Sequence, residues 1–329
     1  MDCGPKSGKI DLLVIGGLLV IDHIAVLPEL PAPGETALFP GLTAALDEKY
    51  FGGNNVNLAA AAAALGLRVG LIGFTGADFQ SSGYRDYLDR IGIGDRWLQV
   101  LDGQSIAHCY SFFDEGGASL TFMDYPAAAA GLDLAVPKAV IESARQIVII
   151  GGRRDDLSAS KVLEFAATAH KARVPVALAW AGDKSSFEPR YFDLADTLLC
   201  NHLEIEVILK CMGLRGADAI TKLAPKRIYV TRGAAGSAVY DEGKKSDIPV
   251  AQPRRAVDPT GAGDAYAGGV LAGLAWGKPA ETCGRIGAVV ASFVVEKRGC
   301  QANLPSRKQL EARYLTTYGE VLNAGSDNE

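Results

Sequence analysis

No apolar run in the 329-residue sequence approaches the roughly 20 residues needed to span a bilayer, so a membrane partner is not expected. A basic excess is missing too. The 33 lysines and arginines are outnumbered by 38 aspartates and glutamates, for a formal net charge of −5. Nucleic acid is bound through basic surfaces and is excluded as a partner. Cysteine is sparse, at six residues (3, 109, 200, 211, 283 and 300), none in C-x-x-C spacing. Reduced thiols and a cytoplasmic location are expected rather than disulfides. Four histidines (23, 108, 170 and 202) are too scattered for a zinc site. Residues 1–9 are short and polar, without the apolar core of a signal peptide.

The common phosphate loops are also missing. A G-x-x-x-x-G-K-[ST] loop fails because Gly8-Lys9 is followed by Ile10 and Gly277-Lys278 by Pro279. A dinucleotide G-x-G-x-x-G fails because Tyr266 stands where Gly261 and Gly263 require a third glycine. There is no His-Arg-Asp catalytic loop.

What is present is Asp258-Pro259-Thr260-Gly261-Ala262-Gly263-Asp264, followed by a small-residue helix over 265–276. Three small residues opening a helix leave backbone N–H groups aimed forward, and the helix dipole adds to their preference for an anion. A carboxylate at the rim, Asp264, is repulsive there unless it takes a proton from the group being phosphorylated. That combination reads as a kinase. Alone, Gly-Ala-Gly reads first as a tight strand-to-helix corner, and only its context favours the anion site.

The wider pattern is an alternation of buried strands (11–15, 68–73, 146–150, 174–180, 197–200 and 227–230) with helical stretches (81–91, 158–171 and 203–210). Such a rhythm predicts an α/β fold: a mostly parallel sheet covered on both faces, with ligands at the carboxyl ends of the strands. Two stretches break it. Residues 18–45 and 105–122 show shorter alternation (Ile106, His108, Tyr110, Phe112; then Leu120, Phe122), with Asp114-Glu115-Gly116-Gly117 as a hairpin turn. Hydrophobic residues, at 48%, suffice for a large core.

Far from the Asp258–Asp264 string, Phe51-Gly52-Gly53-Asn54-Asn55-Val56-Asn57 opens another helix, ahead of a strand over 68–73 and a Gly76-Ala77-Asp78 turn. Together the two strings resemble the paired signatures of the PfkB (ribokinase-like) family of carbohydrate and nucleoside kinases. The resemblance covers about residues 10–315, and two motifs in the right order are far more specific than either alone. It implies a three-layer sandwich with a small β lid. On that basis residues 1–329 form one kinase domain, with the lid at about 18–45 and 105–122. The core is then 10–17, 46–104 and 123–322, and 1–9 and 323–329 are flexible tails.

The resemblance also implies roles. Asp264 would be the base that takes the proton of an acceptor hydroxymethyl attacking the γ-phosphoryl group of ATP. The amides of Gly261, Ala262 and Gly263 would hold the developing phosphoryl charge. Asp22 resembles the lid carboxylate that accepts vicinal sugar hydroxyls, while Gly52, Gly53 and Asn57 resemble the sugar-binding face. Asn201-His202-Leu203-Glu204 resembles the N-x-x-E element, in which Asn201 and Glu204 order a hydrated Mg²⁺. Read from the residues alone it is a capping box, and only its place in the family pattern favours the metal role. Thr231, Gly233 and Gly236 resemble a nucleotide-contacting T-x-G-x-x-G turn. A potassium site, where relatives have one, falls here on Asp258, Thr260, Val294, Gly299 and Asn303.

The resemblance further implies an acceptor that is a sugar-containing small molecule. Gly76 to Phe79, Ser82-Gly83-Tyr84 and Gly299 to Pro305 resemble nucleoside kinases, and a nucleoside is favoured. Gly17 to Asp22, the Gly52-Gly53 string and Gly151-Gly152-Arg153 resemble sugar kinases of the ketohexokinase type, which keeps a carbohydrate open. Val20, where a sugar-binding Asn would stand, argues against free ribose. Arg153 and Arg154 could meet a substrate phosphate, or be a solvated pair at a helix start. A homodimer through the lid is compatible with the resemblance. A non-catalytic sensor on this fold is the rival class, and the presence of Asp264 with its glycines favours the enzyme.

Overall fold

The computed structural model describes residues 9–32, 34–114, 119–126, 136–151, 158–182, 184–216 and 218–322. The proposed turn at 115–117, Gly152 to Arg154 and most of both tails lie outside them.

The central sheet grows from β1 (Leu12–Leu18), every residue of which is buried. On one side it pairs in parallel with β4 (Val69–Gly76), which pairs with β5 (Gly94–Leu101). On the other it pairs in parallel with β8 (Ile147–Gly151), and the sheet continues through β9 (Val176–Trp180), β10 (Thr197–Asn201) and β11 (Arg227–Thr231). An antiparallel hairpin, β12 (Ser237–Asp241) and β13 (Lys244–Ile248), completes nine strands in the order β13-β12-β11-β10-β9-β8-β1-β4-β5. The six strands read from sequence are all present. The edge strand β5 escaped that reading because Asp95, Arg96 and Gln99 interrupt its apolar pattern, as half-exposed edge positions allow.

A second sheet of four strands, ordered β3-β2-β6-β7, stands apart from the first. It comprises β2 (Val20–Leu27), β3 (Lys49–Gly52), β6 (Ala107–Asp114) and β7 (Ser119–Asp124). Its extent departs from the expected lid in three places. Leu18 belongs to β1, paired with Phe74. Strand β3, assigned above to the core, pairs antiparallel with β2. Strand β7 runs on to Asp124. A four-residue strand and a strand end are too short to register as alternation.

Helices cover both faces, and two of them fix the site. Helix α2 (Asn54–Ala64) and helix α8 (Ala262–Ala275) are built of small residues because they pack backbone to backbone. A Cβ added at Gly268 would lie 2.7 Å from both Ala61 Cβ and the Leu58 carbonyl. On its other side α8 meets α9 (Ala280–Val294), where a Cβ at Gly269 would lie 2.9 Å from Gly287. This close packing places the first turns of α2 and α8 side by side, at the carboxyl ends of the parallel strands.

Candidate active site

Both helix starts open on left-handed or unusual glycines, Gly53 at φ 101° and Gly261 at φ 76°. An L side chain at either position would be strained and would also collide, with the Leu18 carbonyl and with Cys300 respectively. The two turns are locked by a hydrogen bond from Asn57 Nδ2 to Asp264 Oδ2 at 2.9 Å. A residue of the first motif thus touches the candidate base of the second, 207 positions away.

The forward-facing amides are not equivalent. The Ala262 N–H donates to the Pro259 carbonyl at 3.2 Å, and the Thr260 N–H to Asp258 Oδ1 at 2.9 Å. Those of Gly261 and Gly263 have no acceptor among the described residues. Of the three amides over 261–263 that the sequence offers to an anion, those of the two glycines are therefore open to one, with Ala262 holding the turn. A Cβ at Gly263 would meet nothing within 4 Å. Gly263→Val should therefore fold, with helix propensity if anything improved. Its side chain would fill the space in front of the amide, so kcat/KM for ATP should drop about tenfold or more. Unchanged kinetics with an unchanged melting temperature would take the anion site away from this loop.

Three cavities share walls along the strand ends. The first, of about 220 Å³, reaches from Asp264, Asn57 and Gly53 to Asp22 and on to Cys109, Ser111, Phe113, Thr121 and Met123 of the second sheet. A middle cavity, also about 220 Å³, is lined by Asp264, Gly261, Gly263, Asn201, Glu204 and Thr231. The third, about 550 Å³ and mostly apolar, lies between Thr231, Gly233, Gly236, Pro253, Val257, Tyr266, Ala288 and Val295. Asp264 belongs to the first two, and Gly263 to the second and third. An acceptor in the first and a nucleotide in the third would meet at Asp264.

Asp22 is 8% exposed. Burial pushes its carboxyl up to about 7, helped by the nearby Asp264 and Asp258 and opposed by the Cys300 thiol, whose Sγ lies 3.7 Å from Oδ2. Gly52 is not among the residues that line the first cavity. It makes room for that carboxylate, since a Cβ there would fall 2.0 Å from Asp22 Oδ2. Gly236 likewise serves the fold: a Cβ would lie 2.3 Å from the Ile248 carbonyl, at the turn into β12.

Helix α7 (His202–Cys211) starts with a complete capping box. Asn201 Oδ1 accepts from the Leu203 and Glu204 amides at 2.9 Å, and Glu204 Oε2 accepts from the Asn201 amide at 2.7 Å. The capping geometry that the residues alone allowed is thus realised, at a position where both side chains also line the middle cavity. Asp258 binds two backbone amides, Thr260 at 2.9 Å and Gly299 at 3.1 Å. The amides of Val257 and Asp258 bond the Val295 carbonyl just past α9, and Asn303 Nδ2 donates to the Phe293 carbonyl at 2.6 Å. Segment 257–260, the end of α9 and the late loop are therefore bound together. Among the described residues no group of three or more His, Cys, Asp or Glu could hold a metal.

The sequence reading missed the wall that the second sheet gives to the first cavity. It followed the alternation of His108, Tyr110 and Phe112, whereas the cavity takes the intervening residues, Cys109, Ser111 and Phe113. The outer set stacks with His23 instead: its ring lies 5.1 Å from His108 and 4.6 Å from Tyr110. Period 2 finds a strand but does not say which face holds a ligand.

Comparison with known proteins identifies the fold and the family. A nucleoside kinase of Methanothermobacter thermautotrophicus is 30% identical over 312 residues, covering 94% of this chain and 97% of that protein. The nucleoside kinase of Methanocaldococcus jannaschii is 28% identical over 313 residues, covering 91% and 95%. Its crystal structure, described as an archaeal member of the ribokinase family, superimposes with a TM-score of 0.77, covering 94% of this chain and 100% of that one. The fold is shared too with Arabidopsis thaliana ribokinase complexed with ribose and ATP, at a TM-score of 0.74 and 22% identity, covering 93% and 99%. Residues 10–307 match the pfkB family carbohydrate kinases, and the chain belongs to that family.

Proposed function

We propose that this kinase transfers the γ-phosphoryl group of ATP to the hydroxymethyl of a nucleoside. The carrying observation is the two-sided acceptor cavity. One end presents Asp22, Asn57 and Asp264; the other is a wall that includes Phe113 and Met123. A pentose would use only the polar end, whereas a nucleoside also gives an aromatic base to the wall. The relatives named as nucleoside kinases support this reading. A carbohydrate acceptor remains the second reading, because the likeness to ribokinase extends over nearly the whole chain. ADP release with MgATP should be measured across nucleosides, pentoses, ketohexoses and sugar phosphates. Nucleosides should give the highest kcat/KM; preference for a free sugar would overturn the choice.

Asp264 takes the hydroxymethyl proton as its oxygen attacks phosphorus. The Gly261 and Gly263 amides receive the phosphoryl oxygens, and the apolar third cavity holds the adenine. Asn201 and Glu204 border the middle cavity and fit a hydrated Mg²⁺ held through water, since Asn201 Oδ1 and Glu204 Oε2 already serve the cap. Magnesium would neutralise charge on the transferred phosphate. Glu204→Gln should raise the Mg²⁺ concentration for half-maximal rate severalfold, with the melting temperature nearly unchanged because Gln still completes the box. An unaltered metal titration would leave Glu204 a cap and nothing more. The binding together of segment 257–260, α9 and the late loop supports a potassium site on Asp258, Thr260, Val294, Gly299 and Asn303, testable as a faster rate in KCl than in NaCl.

No helix among the described residues is long and apolar enough to cross a membrane. The described cysteines form no disulfide with one another, which supports a reducing cytoplasm. On the second sheet Leu120 and Phe122 are 48% and 56% exposed, which supports a homodimer through the lid. Phe122→Asp should then convert a dimer to a monomer in sedimentation experiments.

A further inference from the structure

A chain of three hydrogen bonds ends on the candidate base. The Tyr87 hydroxyl, on α3 (Tyr84–Arg90), donates to Gln301 Oε1 at 2.5 Å. Gln301 Nε2 donates to Asn57 Oδ1 at 2.8 Å. Asn57 Nδ2 donates to Asp264 Oδ2 at 2.9 Å. The polarity of this chain is forced from its far end. An ionised carboxylate can only accept, so Asn57 must turn its NH₂ toward Asp264. Its carbonyl oxygen then faces Gln301, which must present its own NH₂, leaving Oε1 to accept from the Tyr87 hydroxyl. Reversing any amide would set oxygen against oxygen. Asn57 is 4% exposed, so water cannot easily repair a reversed orientation.

We propose that Gln301, held by Tyr87, is a positioning residue for phosphoryl transfer: it fixes the orientation in which Asn57 donates to Asp264 and so keeps the base ionised and aimed. The proposal rests on Asp264 being the base, and deepens the kinase reading with a residue outside both sequence motifs. It also ties the base to the second sheet. The Tyr87 ring stacks on Phe51 of β3 at 4.6 Å, and the neighbouring Tyr84 hydroxyl donates to the Gly52 carbonyl at 2.6 Å. The strand that makes room for Asp22 thus packs against the tyrosine that starts the chain.

The discriminating variant is Gln301→Glu, which has the same shape but no donor for Asn57. Its carboxylate would face the Asn57 carbonyl and turn the amide over, presenting oxygen to Asp264. Its kcat should fall about ten- to a hundredfold, with KM for ATP changed less than about twofold. Gln301→Leu, which removes both contacts without forcing the reversal, should lose less. Tyr87→Phe, which releases Gln301 but leaves it able to donate, should lose least, about three- to tenfold. The cycle with Asp264→Asn separates positioning from packing. With the carboxylate gone, Gln301→Glu should lower the residual rate less than about twofold, since the two residues act as one unit. A spacer would give the same proportional loss in both backgrounds.

Melting temperatures of all variants accompany the kinetics, and Gln301→Leu with Tyr87→Phe keeps the test open should Gln301→Glu fold poorly. Full activity in Gln301→Glu, the order Leu worse than Glu, or a loss that persists undiminished on Asp264→Asn would each overturn the proposal. If Asp264→Asn itself kept wild-type turnover, the assignment of the base would fail instead, and the two failures are thereby told apart.

Discussion

Asp264→Asn should bind both substrates with nearly wild-type KM and turn them over about 10²–10⁴ times more slowly, the usual contribution of a positioned general base. The argument is geometric. Asp264 lies in the first turn of α8, beside the Gly263 amide, and borders both the acceptor and the middle cavities. Among the described residues no other carboxylate lines both of them. Asparagine keeps the size of the side chain and can still meet Asn57, which should preserve the locked pair of helix starts. The loss should therefore appear in kcat with little change in melting temperature. Near wild-type turnover in a folded variant would mean that the acceptor hydroxyl is deprotonated elsewhere, and the catalytic reading of the second motif would fall.

The parallel sheet was legible because its strands are continuous apolar runs, buried on both faces as Leu12–Leu18 is. The glycine-rich helix starts were legible for a different reason: the two strings occur together and in the order that the resemblance requires. What those glycines do was only partly legible. Gly261 and Gly53 are demanded by backbone angle and by neighbours, whereas Gly52 exists for the sake of Asp22, 30 positions earlier in sequence and adjacent only through the β2–β3 pairing. A contact of that kind has no local signature. The same holds for Gln301 and Tyr87, whose importance depends on three elements meeting at Asn57. The capping box at Asn201 shows the opposite limit. Its local signal was clear and correct, yet local signal cannot say whether a cap that borders a cavity also serves a metal.

The lid carboxylate gives the second large effect. Asp22→Ala should lower kcat/KM for the acceptor by tens- to several-hundred-fold and leave KM for ATP nearly flat. Two hydroxyl hydrogen bonds to a charged group are worth about 1.5–3 kcal/mol each and are not fully additive, which sets a loss of about 2–4 kcal/mol. Among the described residues that line the apolar third cavity none belongs to the second sheet, hence the separation of the two substrates. The buried position adds a pH signature. With its carboxyl at about 7, Asp22 in the ligand-free enzyme holds a proton below neutrality and cannot accept from two hydroxyls, so acceptor kcat/KM should fall as pH drops through 7. Stability should run the other way. Between about 4 and 7 the folded state keeps a proton that the unfolded chain has released, so this group's contribution is present at low pH and lost as pH rises toward 7. Asp22→Ala should erase both dependences. A 2′-deoxynucleoside lacks one of the two partner hydroxyls, and on the nucleoside reading it should be a poor substrate for the wild type. Its relative disadvantage should shrink in the variant. If Asp22→Ala discriminates ribo from deoxy in the wild-type ratio, Asp22 does not read those hydroxyls, and the second sheet closes over the acceptor without choosing it.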